Sequence, residues 1–426
     1  MCQEKSLFDF ISRVLFITMD SKKYYIQTYG CQANIKDSQI MAGVLEALGF
    51  EKTNQYFDAD VVIINTCSVR QKAEDKIYGW GVKFPKNSQK LSKKQKAEEQ
   101  KTSGKTKRPI VFVTGCMIGS AKGERQRIIL NKLEKKLSWA DYLLAPEEEY
   151  RIPNILVKEG LVDEWTAKAL NLNRLVDDVK YNPELDNETE WAYVNISTGC
   201  DNFCTYCVVP YSRGKEISRG KNDILDEINH LVEKGYKNIM LVGQNVNSWG
   251  LDHKTKFELR AGSKHKIPFA QLLRDVHSID GVEKINFISS NPFDFTQDLV
   301  ETLALPKIDK YLHIAVQSGD NEILKKMNRR HTVEEFKNLI ADIRKVVPDM
   351  KFGTDIIVGF PSETEDQFMK TVELIKEIKF SVAYIAMYSP REGTIAERKM
   401  KDDVPLKEKK RRHAYITKVF NENKPS

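Results

Sequence analysis

Apolar residues along this chain take two recurring forms, short runs rich in β-branched and aromatic residues and longer stretches of helical period. In the first third the short runs fall at residues 24–29, 61–65, 110–114 and 142–144, with helical stretches between them. After the first run, Ile40, Val44, Leu45 and Leu48 mark one helical face, which Gly49 closes. Strands alternating with helices predict an open parallel α/β sheet of flavodoxin-like type. From Trp191 onward six further runs alternate with helices, at residues 193–197, 238–242, 284–289, 311–316, 351–358 and 382–387. Six units fall short of the eight of a closed barrel, so they predict a partial (β/α)6 TIM-type barrel with a lateral mouth.

Polar stretches divide these patterns. Residues 83–108 are lysine-rich and poor in large apolar side chains, which predicts an exposed insertion in the first sheet. Residues 164–190 are rich in Asn, Asp and Glu, and residues 405–418 read as a charged helix. The expected organisation is an N-terminal extension (1–22), a first domain (23–160) carrying the basic insertion, a linker (161–190), a barrel (191–400) and a basic C-terminal helix (401–426).

A length of 426 residues suits two or three such units, and 41% hydrophobic with 30% charged residues excludes wholesale disorder. The net charge of +7 is concentrated in residues 83–108 and 407–412, which fits a polyanionic partner and equally fits solvated loops and a helix face. The apolar stretch 7–19 is broken by Asp9 and Arg13 and lacks a small-residue cleavage site, so no signal peptide is read. No segment approaches the ~20 apolar residues of a membrane span, and a cytoplasmic location without membrane partners is expected.

Seven cysteines is an odd number, and three of them crowd into Cys200, Cys204 and Cys207, which points to metal ligation over disulfides. They follow the first barrel strand, at the end where such folds place their chemistry. Three thiolates on a 4Fe-4S cube leave one iron open to a small molecule; the alternative, a closed zinc site, wants a fourth ligand that the neighbouring sequence lacks. Around the barrel, polar and glycine residues recur at strand ends: Gly243, Gln244 and Asn245; Ser289 and Ser290; Gln317, Ser318 and Gly319; Asp355 through Gly359. Glycine there serves either close approach to a ligand or an ordinary turn.

Cys31, Cys67 and Cys116 share no short motif, yet each ends a predicted strand of the first sheet, where ligand crevices form. Convergence on a second cluster and simple apolar packing are both open on this ground. Cys2 is left over.

The spacing C-x3-C-x2-C resembles the radical S-adenosylmethionine superfamily. The runs Gln27 to Asn34, Asn65 to Arg70 and Gly115-Cys116-Met117 resemble the methylthiotransferases. Residues 200–219, Gly243 to Ser248, Gln317-Ser318-Gly319, Thr354 to Pro361 and Tyr388 to Arg391 resemble the MiaB-type tRNA branch specifically. The likeness spans about residues 24–396. It implies two 4Fe-4S clusters, one held by Cys200, Cys204 and Cys207 and a sulfur-donating one held by Cys31, Cys67 and Cys116. It implies S-adenosylmethionine in two roles, as methyl donor and as source of a 5′-deoxyadenosyl radical. The substrate implied is isopentenylated adenosine beside the anticodon of a tRNA, methylthiolated at carbon 2. An external electron donor such as flavodoxin and a sulfur donor complete the implied partners.

By motif, Gln244, Gln317 and Asp355 are expected in the S-adenosylmethionine pocket, with Gly243, Asn245 and Ser289 beside them. Arg213 and Glu216 are expected at the cofactor or the anticodon loop, or else in a surface ion pair. Tyr206 is expected by the cofactor or as loop filling. Family members carry a C-terminal TRAM domain, and this sequence stops at Ser426 before one forms. Residues 83–108 and 407–412 are therefore expected to contact RNA phosphates. Glu392 stands where the family has proline, and no mechanism is attached to it. Related branches act on threonylcarbamoyladenosine tRNA or a ribosomal protein; a non-catalytic iron-sulfur RNA-binding or electron-transfer protein is the alternative of another class.

Overall fold

A computed structural model describes residues 21–68, 71–84, 108–170, 190–259 and 261–425. Cys2, residues 85–107 of the basic insertion and residues 171–189 of the linker lie outside the described residues.

The chain forms two compact units, one built on the first sheet and one from Trp191 onward together with Gly119–Leu130. In the first unit β1 (Lys23–Thr28), β2 (Glu51–Lys52), β3 (Val61–Thr66), β4 (Ile110–Gly115) and β5 (Tyr142–Leu143) form one sheet of order β2-β1-β3-β4-β5, every neighbouring pair parallel. This is the flavodoxin-like order, whose switch point lies between β1 and β3. The residues of β3 are all buried, as a central parallel strand requires. The helix Gln32–Ala47 packs Met41, Val44 and Leu45 on Tyr24, Val61, Ile63 and Phe112, and Gly49 follows its end with φ +85°. Strand β2 is absent from the sequence-based expectation; two exposed residues carry no alternation from which to read it.

In the second unit β6 (Trp191–Asn195), β9 (Asn238–Val242) and β10 (Lys284–Phe287) form one parallel set, and β11 (Tyr311–His313), β12 (Lys351–Val358) and β13 (Val382–Met387) another. Isolated parallel bridges, Ile285 to Ile308 and Ser290 to Ile314, stitch the two sets into a six-stranded open barrel. Strand β10 ends earlier than expected, with Ser289 turned into left-handed backbone at φ +69°, and β11 pairs with β12 only over Tyr311–His313. A small antiparallel pair, β7 (Ser197–Thr198) with β8 (Ile217–Ser218), follows β6 and brackets the cysteine loop. The core is one apolar mass of Val194, Ile239, Leu241, Phe287, Ile314, Ile356 and the helices around them.

The C-terminal helix, Leu406–Asn423, overturns part of the expectation for residues 407–412. Lys409 and Arg412 are buried, Lys409 on Asp402 at 2.5 Å and Arg412 on Glu363 at 2.8 Å. Arg411 pairs with Glu408 at 2.7 Å and with Glu365. The helix lies on the Glu365–Ile378 helix and on β13, so Lys409 and Arg412 are spent on carboxylates, while Lys407, Lys410 and Arg411 stay exposed.

Candidate metal centres

Cys31, Cys67 and Cys116 stand just beyond the carboxyl ends of β1, β3 and β4, three adjacent strands astride the switch point. Cys31 is the N-cap of the Gln32–Ala47 helix and exposed, whereas Cys67 and Cys116 are buried. Behind them runs a polar brace. Asn34 Nδ2 donates to Asn65 Oδ1 (3.0 Å) and to the Thr66 carbonyl (3.2 Å), while Asn65 Nδ2 donates back to the Asn34 carbonyl (2.8 Å). Thr66 Oγ1 donates to the Thr114 carbonyl and accepts from the Met117 amide at 3.3 Å. The brace ties the three strand ends to one another. Gly115, at φ +94°, lets the chain bend into it: a Cβ there would stand 2.4 Å from Asn65 Oδ1 and from the Thr66 carbonyl.

In the second unit the loop 199–216 carries Cys200, buried, and Cys204 and Cys207, half-buried. The β7–β8 pair closes its base, and Gln244 Oε1 accepts from the Gly199 amide at 2.7 Å. Its middle is pinned by Thr205, whose amide donates to the Met327 carbonyl (3.1 Å) and whose hydroxyl donates to the Lys326 carbonyl (2.9 Å). Asp201 is held by Arg125 at 2.6 Å. Gly199, at φ +74°, has the Lys215 carbonyl 2.1 Å from where a Cβ would sit, a clash with backbone that no rotamer relieves. Gly199→Ala is expected to lose the iron of this loop, about four atoms per chain on the basis of one cube. Gly214→Ala, equally left-handed in the same loop but with open space around it, is expected to keep it; iron analysis after reconstitution separates clash from backbone strain.

Burial pushes the Cys200 and Cys207 thiols up, Cys207 to about 12, with the neighbouring Cys204 adding to the rise at Cys207. Such sulfurs become thiolates when a metal supplies the compensating charge, and loading releases their protons. The donor set fits an iron-sulfur cube: three thiols on one short loop, with the Val209 amide 3.4 Å from Cys207 Sγ and the Arg329 guanidinium 3.5 Å from Cys204 Sγ. Among the described residues no three Cys, His, Asp or Glu groups converge as the ligands of a single metal ion would. A cube takes its thiolates at separate corners.

The other expected site residues divide into two sets. Ser289 is exposed, Gln317 is buried at the end of β11, and Asp355 is half-buried on β12. Asp355 Oδ2 lies 2.9 Å from His313 Nε2, and the Tyr311 hydroxyl lies 3.2 Å from His313 Nδ1. Asn245, by contrast, is wholly buried and spends its amide on Ser248 Oγ (2.7 Å), Asp294 Oδ2 (3.1 Å) and Asn291 Nδ2 (2.7 Å), all within the protein. Glu216 is likewise internal, sharing a buried ion pair with Lys256 and a hydrogen bond from Ser248, so it is not part of a surface pair. Gly243 packs its backbone on Ser197, and Arg213 is half-buried at the end of the Val209–Ser212 turn. Tyr206 packs beside Met327, Phe360 and Tyr388, and burial holds its hydroxyl well above the usual range.

Sequence reading missed Arg329, Asn291, His313, Lys256 and Asp294. The only signal was the run Asn328-Arg329-Arg330-His331, a cationic stretch between two helices that reads as a solvated loop.

Residues 194–375 match the Radical SAM superfamily, and residues 23–135 match a family described as Uncharacterized protein family UPF0004. A radical S-adenosylmethionine methyltransferase, TsrM, from Kitasatospora setae shares the fold at TM-score 0.52 and 12% identity, over 86% of this chain and 75% of that one. The open barrel and its three-cysteine loop make this a radical S-adenosylmethionine iron-sulfur enzyme. The tRNA-2-methylthio-N(6)-dimethylallyladenosine synthase of Bacillus subtilis (strain 168) is 38% identical over 409 residues, 95% of this chain and 73% of the relative. That of Clostridium botulinum (strain Okra / Type B1) is 38% identical over 404 residues, 94% and 82% of the two chains. The chain belongs to this family of methylthiotransferases.

Proposed function

We propose that the protein methylthiolates carbon 2 of N6-dimethylallyladenosine in tRNA, beside the anticodon. The observation that carries this is the pairing of two cysteine triads, one on the switch point of a flavodoxin-like sheet and one on the first barrel loop, in a chain of this family. When bound, the clusters supply an electron for cleaving S-adenosylmethionine at the barrel loop and sulfur at the first sheet. Cys200, Cys204 and Cys207 hold the one and Cys31, Cys67 and Cys116 the other. An external electron donor such as a flavodoxin and a sulfur donor serve the cycle, which runs in the cytoplasm.

Within the barrel, Gln244 orients the loop through Gly199, and Gln317 and Asp355 face S-adenosylmethionine. His313 keeps Asp355 in place: with the Tyr311 hydroxyl donating to Nδ1, Nε2 carries the proton and donates to the carboxylate. Asp355→Ala removes a charged acceptor and is expected to raise the S-adenosylmethionine concentration for half-maximal 5′-deoxyadenosine release roughly 10- to 100-fold, from ~1.5–3 kcal/mol. Unchanged dependence in a steady-state titration would remove Asp355 from the pocket.

The direct test is mass spectrometry of nucleosides from tRNA carrying dimethylallyladenosine, after incubation with reduced, reconstituted enzyme. A methylthio product on that base is expected. Product only on threonylcarbamoyladenosine tRNA would move the chain to the neighbouring branch, and no 5′-deoxyadenosine at all would leave a non-catalytic cluster protein.

A further inference from the structure

Arg329 is 8% exposed, and its surroundings differ from those of four other cations of the barrel unit. Lys256, Arg330, Lys409 and Arg412 each lie against a carboxylate: Glu216, Asp294, Asp402 and Glu363. Among the described residues no carboxylate lies within ion-pair distance of Arg329. Its guanidinium is instead held by neutral acceptors on two neighbouring strand ends, Asn291 Oδ1 at 2.7 Å and the Ala315 carbonyl at 2.7 Å. Phe293 covers it, ring centroid 5.3 Å away, and Arg330 lies over the same ring at 4.0 Å. The one group in reach that can bear negative charge through a hydrogen bond is Cys204 Sγ, at 3.5 Å.

An uncompensated buried cation is costly, so a fold that builds three anchors around one is holding it for a charge that arrives later. The backbone around it is also held out of its ordinary range: Asn328, just before it, has φ +57°, and donates to the carbonyls of Asn202 and Phe203, the latter itself at φ +46°. Left-handed non-glycine residues cost about 1–3 kcal/mol each and persist where the surroundings over-determine them. The two strained turns fix the distance between Arg329 and the cysteine loop.

We propose that Arg329 sets the reduction potential of the cluster held by Cys200, Cys204 and Cys207, by hydrogen bonding Cys204 and balancing the charge of the added electron. This rests on the assignment of that cysteine loop to a cluster. One electron from the external donor raises the negative charge of the three-thiolate cluster by one unit, and hydrogen bonds to ligand sulfur and a nearby cation both favour that reduced form. Arg329 therefore acts on the first electron transfer, ahead of any chemistry on the base.

The experiment is a redox titration followed by electron paramagnetic resonance on the reconstituted full chain without S-adenosylmethionine, using dithionite with mediator dyes. It compares wild type, Arg329→Met, Arg329→Lys and Asn291→Leu, each in the Cys31→Ala/Cys67→Ala/Cys116→Ala background so that a single cluster is read. The methionine variant is expected to lose at least tenfold in the equilibrium constant for reduction, a negative shift of about 59 mV or more for one electron. Lysine keeps the charge without the fork and is expected to shift less. Asn291→Leu releases an anchor and is expected to shift in the same direction, and it carries the test if the methionine variant fails to take up iron. Midpoints equal to wild type in all three variants overturn the proposal. A wild-type background with no reducible signal overturns the cluster assignment itself.

Discussion

Replacing Cys31, Cys67 and Cys116 together by alanine is expected to lower the iron content from about eight to about four atoms per chain. Methylthiolation is expected to disappear, while 5′-deoxyadenosine is still released from S-adenosylmethionine. The reason is that each triad sits in a unit with its own core: the first in the sheet packed on Tyr24, Leu45, Val61 and Phe112, the second in the barrel. The three replaced side chains stand beyond the strand ends, and the Asn34, Asn65 and Thr66 brace that ties those ends together is untouched. Iron analysis, a cleavage assay and nucleoside mass spectrometry read the three consequences separately. About four atoms in both proteins would leave the first sheet without a cluster, and the methylthiotransferase reading would go with it.

Arg412→Ala is expected to destabilise the barrel unit by roughly 3–5 kcal/mol, the range for removing one partner of a buried ion pair. The Glu363 side chain it leaves is 1% exposed and holds the Gly359 amide at 2.6 Å, so the loss falls on the turn that ends β12, four residues beyond Asp355. Burial already holds the Glu363 carboxyl above its usual range even with the arginine in place. Replacing both partners, Arg412→Met with Glu363→Gln, is expected to recover much of the loss, because the uncompensated charge is then gone. Denaturant melts of the four members of this cycle provide the check. Were Arg412 a phosphate contact, the single variant would instead leave the melt unchanged and reduce the salt dependence of tRNA binding.

What the sequence made legible was periodic. All six long barrel strands and four of the five strands of the first sheet lie where runs of Val, Ile and Tyr stand between helical stretches, and the cysteines fall at their ends. The switch-point position of Cys31 and Cys67 was partly hidden, because β2, two residues long, is what makes the sheet double back between them. The buried charge pairs were illegible for a different reason. Lys256 and Glu216 are 40 residues apart, Arg412 and Glu363 are 49 apart, and a buried lysine or arginine looks no different from a solvated one until its partner is placed. Asn245 misled in the opposite sense: a polar residue at a strand end suggests a ligand, yet its bonds all go inward.

Strand β13 lies at the rim of the β11-β12-β13 set, pairing with β12 on one side, and it carries Tyr384 and Met387 exposed. A rim of unpaired backbone beside apolar side chains invites another chain to add a strand, the first step toward aggregation. The C-terminal helix lies against this strand, and His413 Nε2 donates to the Ile385 carbonyl at 3.1 Å, occupying one acceptor there. The helix that reads by charge as an RNA contact thus also covers part of this sticky border, the part around Ile385.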